Sequence, residues 1–230
     1  MIVVIGSPAW RSAPRPTPAG RACGIALAAA ALGARVELVG RVGEDAAGDA
    51  LLIALANAGV GHAAILRDPT RQTPRVEPPA PSVEDDGGFL FADPSTDAVP
   101  APAATAASAG PRLDGADVDL AIKYLEPSGV LVVTDDVPSD ALAAAGEASG
   151  YAHLRLVVLV APGGMAARTL PAGLPEDATV LAVPDVDAGE AGAFEQLVGA
   201  YAAALDGGAD PAAAFAAAQG GTGWEPAPTD

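Results

Sequence analysis

A single cysteine, Cys23, stands in this chain of 230 residues, so no disulfide can form within it, which suits a reducing cytoplasm. Lysine is equally scarce: Lys123 is the only one, and it sits in an ordinary helical context that gives no support to a lysine-based covalent mechanism. Aromatic residues make up 4% of the chain while hydrophobic residues make up 50%. The core must therefore be built mainly from Ala, Val and Leu. The two histidines, His62 and His153, lie far apart and lack ligand spacing, so no metal site follows from them. No apolar run approaches the ~20 residues of a membrane helix. Met1 leads directly into Ile2-Val3-Val4-Ile5, which reads as a buried first strand and not as a leader. Positive charge is short as well, with a net charge of −17 and a pI near 4.2. Such a balance disfavours nucleic acid and anionic membranes as partners and favours solubility.

What is present begins with the stretch from Arg21 to Gly61. Its alanine-rich opening has helical propensity and closes at Leu32-Gly33-Ala34. Arg35 to Val39 alternates as a short strand, and Gly40 to Gly43 reads as a turn. Asp45 is placed to cap a helix over Ala46 to Ala58, which Gly59 ends. Helix, strand, turn and helix in this order predict a parallel α/β sheet. Before it, Ser7 to Ala19 contains Pro8, Pro14, Pro16 and Pro18, and no regular structure is expected there. After it, Ala63 to Leu66 is a candidate strand. Residues 69–111, rich in Pro, Ala, Asp and Ser, are expected to form a linker or an extended arm within one domain spanning 1–230.

Regular structure resumes with a helix over 115–125 and a strand over Val130 to Val133, with Thr134-Asp135-Asp136 at its end. A helix over 138–151, a strand over 154–160 and a last strand over 179–183 follow. Two helices, over 191–205 and from Asp210-Pro211 to Gln219, close the pattern. Asp135, Asp136, Asp185 and Asp187 all follow strands at the edge where open α/β sheets bind ligands. Two readings stay open for them: a divalent cation held by clustered carboxylates, or capped helices and a solvated acidic rim.

The run Ala31-Leu32-Gly33-Ala34 to Gly43-Glu44-Asp45, with Gly48-Asp49 and Ala58-Gly59-Val60, resembles the N-terminal part of the ribokinase-like (PfkB) carbohydrate kinases. Gly192-Ala193-Phe194, Gly199-Ala200, Gly208 and Asp210-Pro211-Ala212 are similar to that family's C-terminal helix pair. The resemblance implies a three-layer α/β/α sandwich with a mainly parallel central sheet, and transfer of the terminal phosphate of ATP to a sugar or nucleoside hydroxyl. It also implies a lid over the sugar, and the proline-rich segment 7–19 is short for one, so the lid is expected to be lost, along with much of the nucleotide half.

In the resembled kinases an aspartate-threonine-x-glycine-alanine-glycine-aspartate turn supplies an anion hole and the catalytic base. Aligned on Ala193-Phe194, the base position is Gly192, the following departures are Ala191 and Glu190, and only Gly189 is kept. A glycine cannot accept a proton. Asp187 and Glu190 are the candidates for a displaced base, with Asp187 equally readable as a helix cap. The family's sugar-binding glycines and asparagine correspond to the stretch Ala19-Gly20-Arg21-Ala22-Cys23-Gly24, where Gly20 is kept, Gly24 replaces the asparagine, and Arg21 could meet an anionic ligand. The leading expectation is a divergent family member that binds a small molecule or a protein partner without phosphotransfer. The alternatives are an active kinase using ATP and Mg with Asp187 or Glu190 as base, and a structural subunit of a homo-oligomer. The ligand-binding candidates are Gly20, Arg21, Gly189, Gly192, Asp135, Asp136 and Asp185.

Overall fold

Strand β1, Ile2–Ile5, is apolar at every position and buried on both sides, as a central parallel strand must be. In the computed structural model of the chain, which describes residues 1–12, 14–76, 110–125, 129–161, 174–184 and 192–222, β1 pairs in parallel with its neighbours on both sides. Those are β4 (Val36–Gly43) and β8 (Val130–Val133). The sheet runs in the order β10-β9-β8-β1-β4-β5, with β9 at Arg155–Val160, β10 at Thr179–Ala182 and β5 at Val60–Gly61. A further strand, β6 (Ile65–Asp68), pairs with the second half of β4. Every pairing in this sheet is parallel.

Alternate residues of β1 face opposite ways and found two cores. Ile2 and Val4 pack with α1 (Arg21–Ala31), α2 (Ala46–Asn57), α5 (Ala193–Asp206) and α6 (Pro211–Thr222). Val3 and Ile5 pack with α3 (Gly115–Tyr124) and α4 (Ser139–Ala152) on the other face. Helices on both faces of a parallel sheet give the three-layer α/β/α sandwich that the sequence led us to expect. The shortage of aromatics is met by small side chains that let helices approach closely. Among the described residues, the one aromatic of the largest fully buried side chains is Tyr201. It meets Phe215 edge-on at 5.7 Å between ring centroids and shares a hydrogen bond of 3.0 Å with the Thr179 hydroxyl, satisfying its polar end.

Asp45 caps α2 as expected. Its Oδ1 accepts from the Gly48 amide at 2.8 Å and from the Thr73 hydroxyl at 2.6 Å, and Oδ2 accepts from the Thr73 amide at 3.1 Å. Partial burial raises the Asp45 pKa, but the Thr73 hydroxyl and the two amides outweigh it and hold the carboxyl below its ordinary value. Thr73 is itself buried and its Oγ1 accepts from the Gly43 amide at 3.0 Å.

Three expectations need correction. Gly40 to Gly43 is not a turn but the second half of β4, and glycine is needed at 40 for closeness rather than for bending. A Cβ there would lie 2.6 Å from Pro8 Cδ and 2.9 Å from the Gly6 carbonyl oxygen. Residues 7–19 are not irregular. They carry β2 (Ala9–Arg11) and β3 (Thr17–Ala19), an antiparallel pair extended by β7 (Arg75–Val76) into a second, three-stranded sheet in the order β3-β2-β7. Regular structure therefore does form in the proline-rich segment, as a small second sheet. Finally, the expected linker begins too early at 69, since Thr73 anchors to Asp45 and β7 joins that sheet. The expectation for 77–109 lies outside the described residues.

Candidate functional site

Strands β1 and β8 end side by side at the C-terminal edge of the main sheet, where they deliver Ser7 and Thr134-Asp135-Asp136. Thr134 is buried, and its hydroxyl donates to the Ile5 carbonyl at 3.1 Å and also meets the Asp136 carboxylate. Asp136 Oδ2 accepts from the Ser7 amide at 3.3 Å. The Asp136 carboxylate therefore ties the two strand ends together. Its neighbour Asp135 forms an ion pair with the guanidinium of Arg21, the first residue of α1. Arg21 also faces Glu195 in the first turn of α5, with Nε 3.6 Å from Oε1.

These groups border a cavity of about 1080 Å³, whose wall includes Arg11 of the small sheet, Gly20, Arg21, Gly24, Asp136, Gly192 and Glu195. Its volume matches the upper range of small-molecule sites. Gly20 and Gly192 are the N-caps of α1 and α5, at φ of 85° and 93°, and among the described residues neither helix start receives a side-chain cap. Only glycine takes that backbone conformation without strain. Gly24 faces Glu195 so closely that a Cβ on it would lie 2.8 Å from Glu195 Cγ.

Residues 11–76 match the model of the pfkB family carbohydrate kinases. A PfkB protein from a Polaromonas species superposes with a TM-score of 0.63 at 17% identity, covering 94% of this chain and 92% of that one. Arabidopsis thaliana ribokinase, solved with ribose and ATP, gives 0.61 at 16% identity, covering 96% and 90%. Escherichia coli phosphofructokinase-2, solved with fructose-6-phosphate, gives 0.57 at 18% identity, covering 94% and 89%. The chain has the ribokinase-like fold of the PfkB kinases. No curated protein matches it in sequence.

Of the residues expected at the site, Gly20, Arg21, Asp136 and Gly192 line one cavity, and Asp135 touches it through Arg21. Asp185, Asp187, Gly189 and Glu190 lie outside the described residues. Sequence reasoning missed Glu195 and Thr134. Glu195 sits at a helix start, where an acidic residue ordinarily signals favourable interaction with the helix dipole and nothing more. Among the described residues no group of three or more His, Cys, Asp or Glu side chains could hold a metal ion. Asp135 and Asp136 are instead engaged with Arg21 and with Thr134 and Ser7. Burial pushes the Cys23 thiol up to about 12, which makes it inert as a nucleophile. No helix among the described residues is long and apolar enough to cross a membrane.

Proposed function

We propose that this ribokinase-like chain binds a small polyhydroxylated molecule, of the sugar or nucleoside kind, in the cavity at the sheet edge without phosphorylating it. The observation that carries this reading is Gly192. Transfer of phosphate to a hydroxyl needs a carboxylate poised at that hydroxyl and donors for the developing charge. The residue aligned with the family's base is Gly192, which lines the cavity and caps α5 with no side chain to offer. The carboxylates beside it have other partners: Asp135 and Glu195 flank Arg21, and Asp136 bridges Ser7 and Thr134.

A concave cavity of about 1080 Å³ favours a small molecule over a protein partner. The sugar class is supported by likeness to the Arabidopsis ribokinase solved with ribose and to the phosphofructokinase-2 solved with fructose-6-phosphate. For ATP and Mg, the carboxylates at the cavity make a poor fit, since Asp135 is paired with Arg21, Asp136 bridges Ser7 and Thr134, and no third carboxylate joins them in a metal-holding group among the described residues, so no step is derived through them. Asp187 and Glu190 would be the bases of an active kinase, tested by ADP release with Asp187→Asn and Glu190→Gln. The binding half of the proposal is tested by titration calorimetry with D-ribose. Saturable binding is expected; absence of binding to D-ribose would overturn the sugar reading.

A further inference from the structure

We propose that the polyol bound in this cavity carries an anionic substituent and that Arg11 holds it, an inference that deepens the polyol-binding reading above and rests on it. Ala9, Trp10 and Arg11 follow one another along β2, so neighbouring side chains leave the small sheet by opposite faces. Trp10 packs against the apolar core on one side. On the other side Arg11 stands opposite Val76 of β7, and both line the cavity together with Ala19 of β3. Strand pairing thus aims Arg11 at the cavity, and the residue is exposed there.

Among the described residues the charged side chains lining the cavity are Arg11, Arg21, Asp136 and Glu195. Arg21 pairs with Asp135 and faces Glu195, and Asp136 accepts from the Ser7 amide and the Thr134 hydroxyl. Arg11 differs from the other three in having neither a hydrogen bond nor an ion pair among the described residues. The chain holds 29 acidic residues to 12 basic ones, so a bare guanidinium is not explained by a shortage of carboxylates. Its planar fork of N–H donors matches the oxygens of a phosphate or carboxylate, whereas one neutral hydroxyl would leave most of those donors unused.

The cavity is also polarised. Ala9 lies beside the start of α1, where a Cβ on Gly20 would stand 3.6 Å from that of Ala9. The acceptors Asp136 and Glu195 gather at the same end, through Ser7 and Arg21. The backbone of Arg11 is two residues farther along β2, about 7 Å away, and pairs with Thr17 instead of Ala19. Acceptors at one end and a bare cation toward the other suit a molecule with hydroxyls at one end and negative charge at the other.

The test is calorimetry at low salt with D-ribose, D-ribose 5-phosphate and D-ribonate, on the wild-type chain, Arg11→Gln and Arg11→Lys, with folding checked by circular dichroism. The wild type should bind ribose 5-phosphate about tenfold more tightly than D-ribose, the gain expected of a hydrogen bond to a charged group. That preference should shrink as salt is raised. The ratio of the two affinities should fall to about one in Arg11→Gln and lie between in Arg11→Lys, which keeps the charge but not the fork. A preference for D-ribonate in place of the phosphate would support the same contact with a carboxylate as the anion. Equal wild-type affinities for D-ribose and both anions, or a preference that survives in Arg11→Gln, would overturn this inference and leave the polyol reading standing. Binding of none of the three would overturn that reading, and this inference with it. Binding of the anions but not of D-ribose, abolished in Arg11→Gln, would overturn the sugar reading and leave the Arg11 contact standing.

Discussion

The start of α2 and the start of α5 lie at the same edge of the sheet and are built in opposite ways. At α2, Asp45 in extended backbone accepts three hydrogen bonds and ties the helix to Thr73. Helix α3 begins in the same manner, with Asp114 and Asp117 forming a reciprocal capping box. At α5 the cap is Gly192 at φ 93°, with no side-chain bond, and α1 begins likewise at Gly20. Both glycine-capped ends open onto the large cavity, and neither α2 nor α3 does. Helix ends closed by their own carboxylates hold the fold together, while the glycine-capped ends border the cavity in which binding is proposed.

Substitutions at the two kinds of helix start should differ in cost. The largest effect should come from Gly20→Ala. A left-handed backbone costs a non-glycine residue about 1–2 kcal/mol, and the added Cβ would stand 2.9 Å from the Ser7 carbonyl oxygen. Together these should lower unfolding stability by about 3 kcal/mol in urea titration. Asp45→Ala removes the cap and both links to Thr73 and should cost about 2 kcal/mol.

The same carboxylate makes stability depend on pH. Its folded-state pKa lies below the ordinary value, so its contribution is complete above an unfolded pKa of about 3.9 and is lost as pH falls further. Urea midpoints measured below pH ~4 should therefore fall more steeply for the wild type than for Asp45→Asn. The smallest effect should be that of Gly192→Ala. Its φ of 93° matches that of Gly20 in sign, yet among the described residues nothing lies within 4 Å of the added Cβ, so only the backbone cost of about 1 kcal/mol is expected. If Gly20→Ala and Gly192→Ala cost the same, crowding at Ser7 plays no part.

Much of the main sheet could be read before the structure was in hand. Ile2 to Ile5, Val130 to Val133 and 154–160 are apolar runs of strand length, and Asp45 before an apolar helix is a strong start signal. The second sheet was hidden by its prolines. Pro18 pairs with Trp10 inside the antiparallel register of β2 and β3, and it is tolerated because β3 is an edge strand. Gly40 and Gly43 read as a turn because sequence does not reveal that a neighbouring backbone passes close by. The site was only half visible for a similar reason. Arg21 meets Asp135 across a separation of 114 residues, and Glu195 joins them from the far end of the chain. No local spacing announces that group. Gly24 facing Glu195 is likewise a fact of helix packing.

Whether the cavity binds without transferring phosphate is decided by ADP release from MgATP across a panel of pentoses, hexoses and nucleosides. With Gly192 in place of a carboxylate, no turnover above the sugar-free background is expected, since losing a general base alone removes a factor of roughly 10²–10⁴. Glu190→Gln and Asp187→Asn, run beside the wild type, should change nothing. Turnover of about one per second, abolished by either substitution, would show an active kinase and name the substitute base.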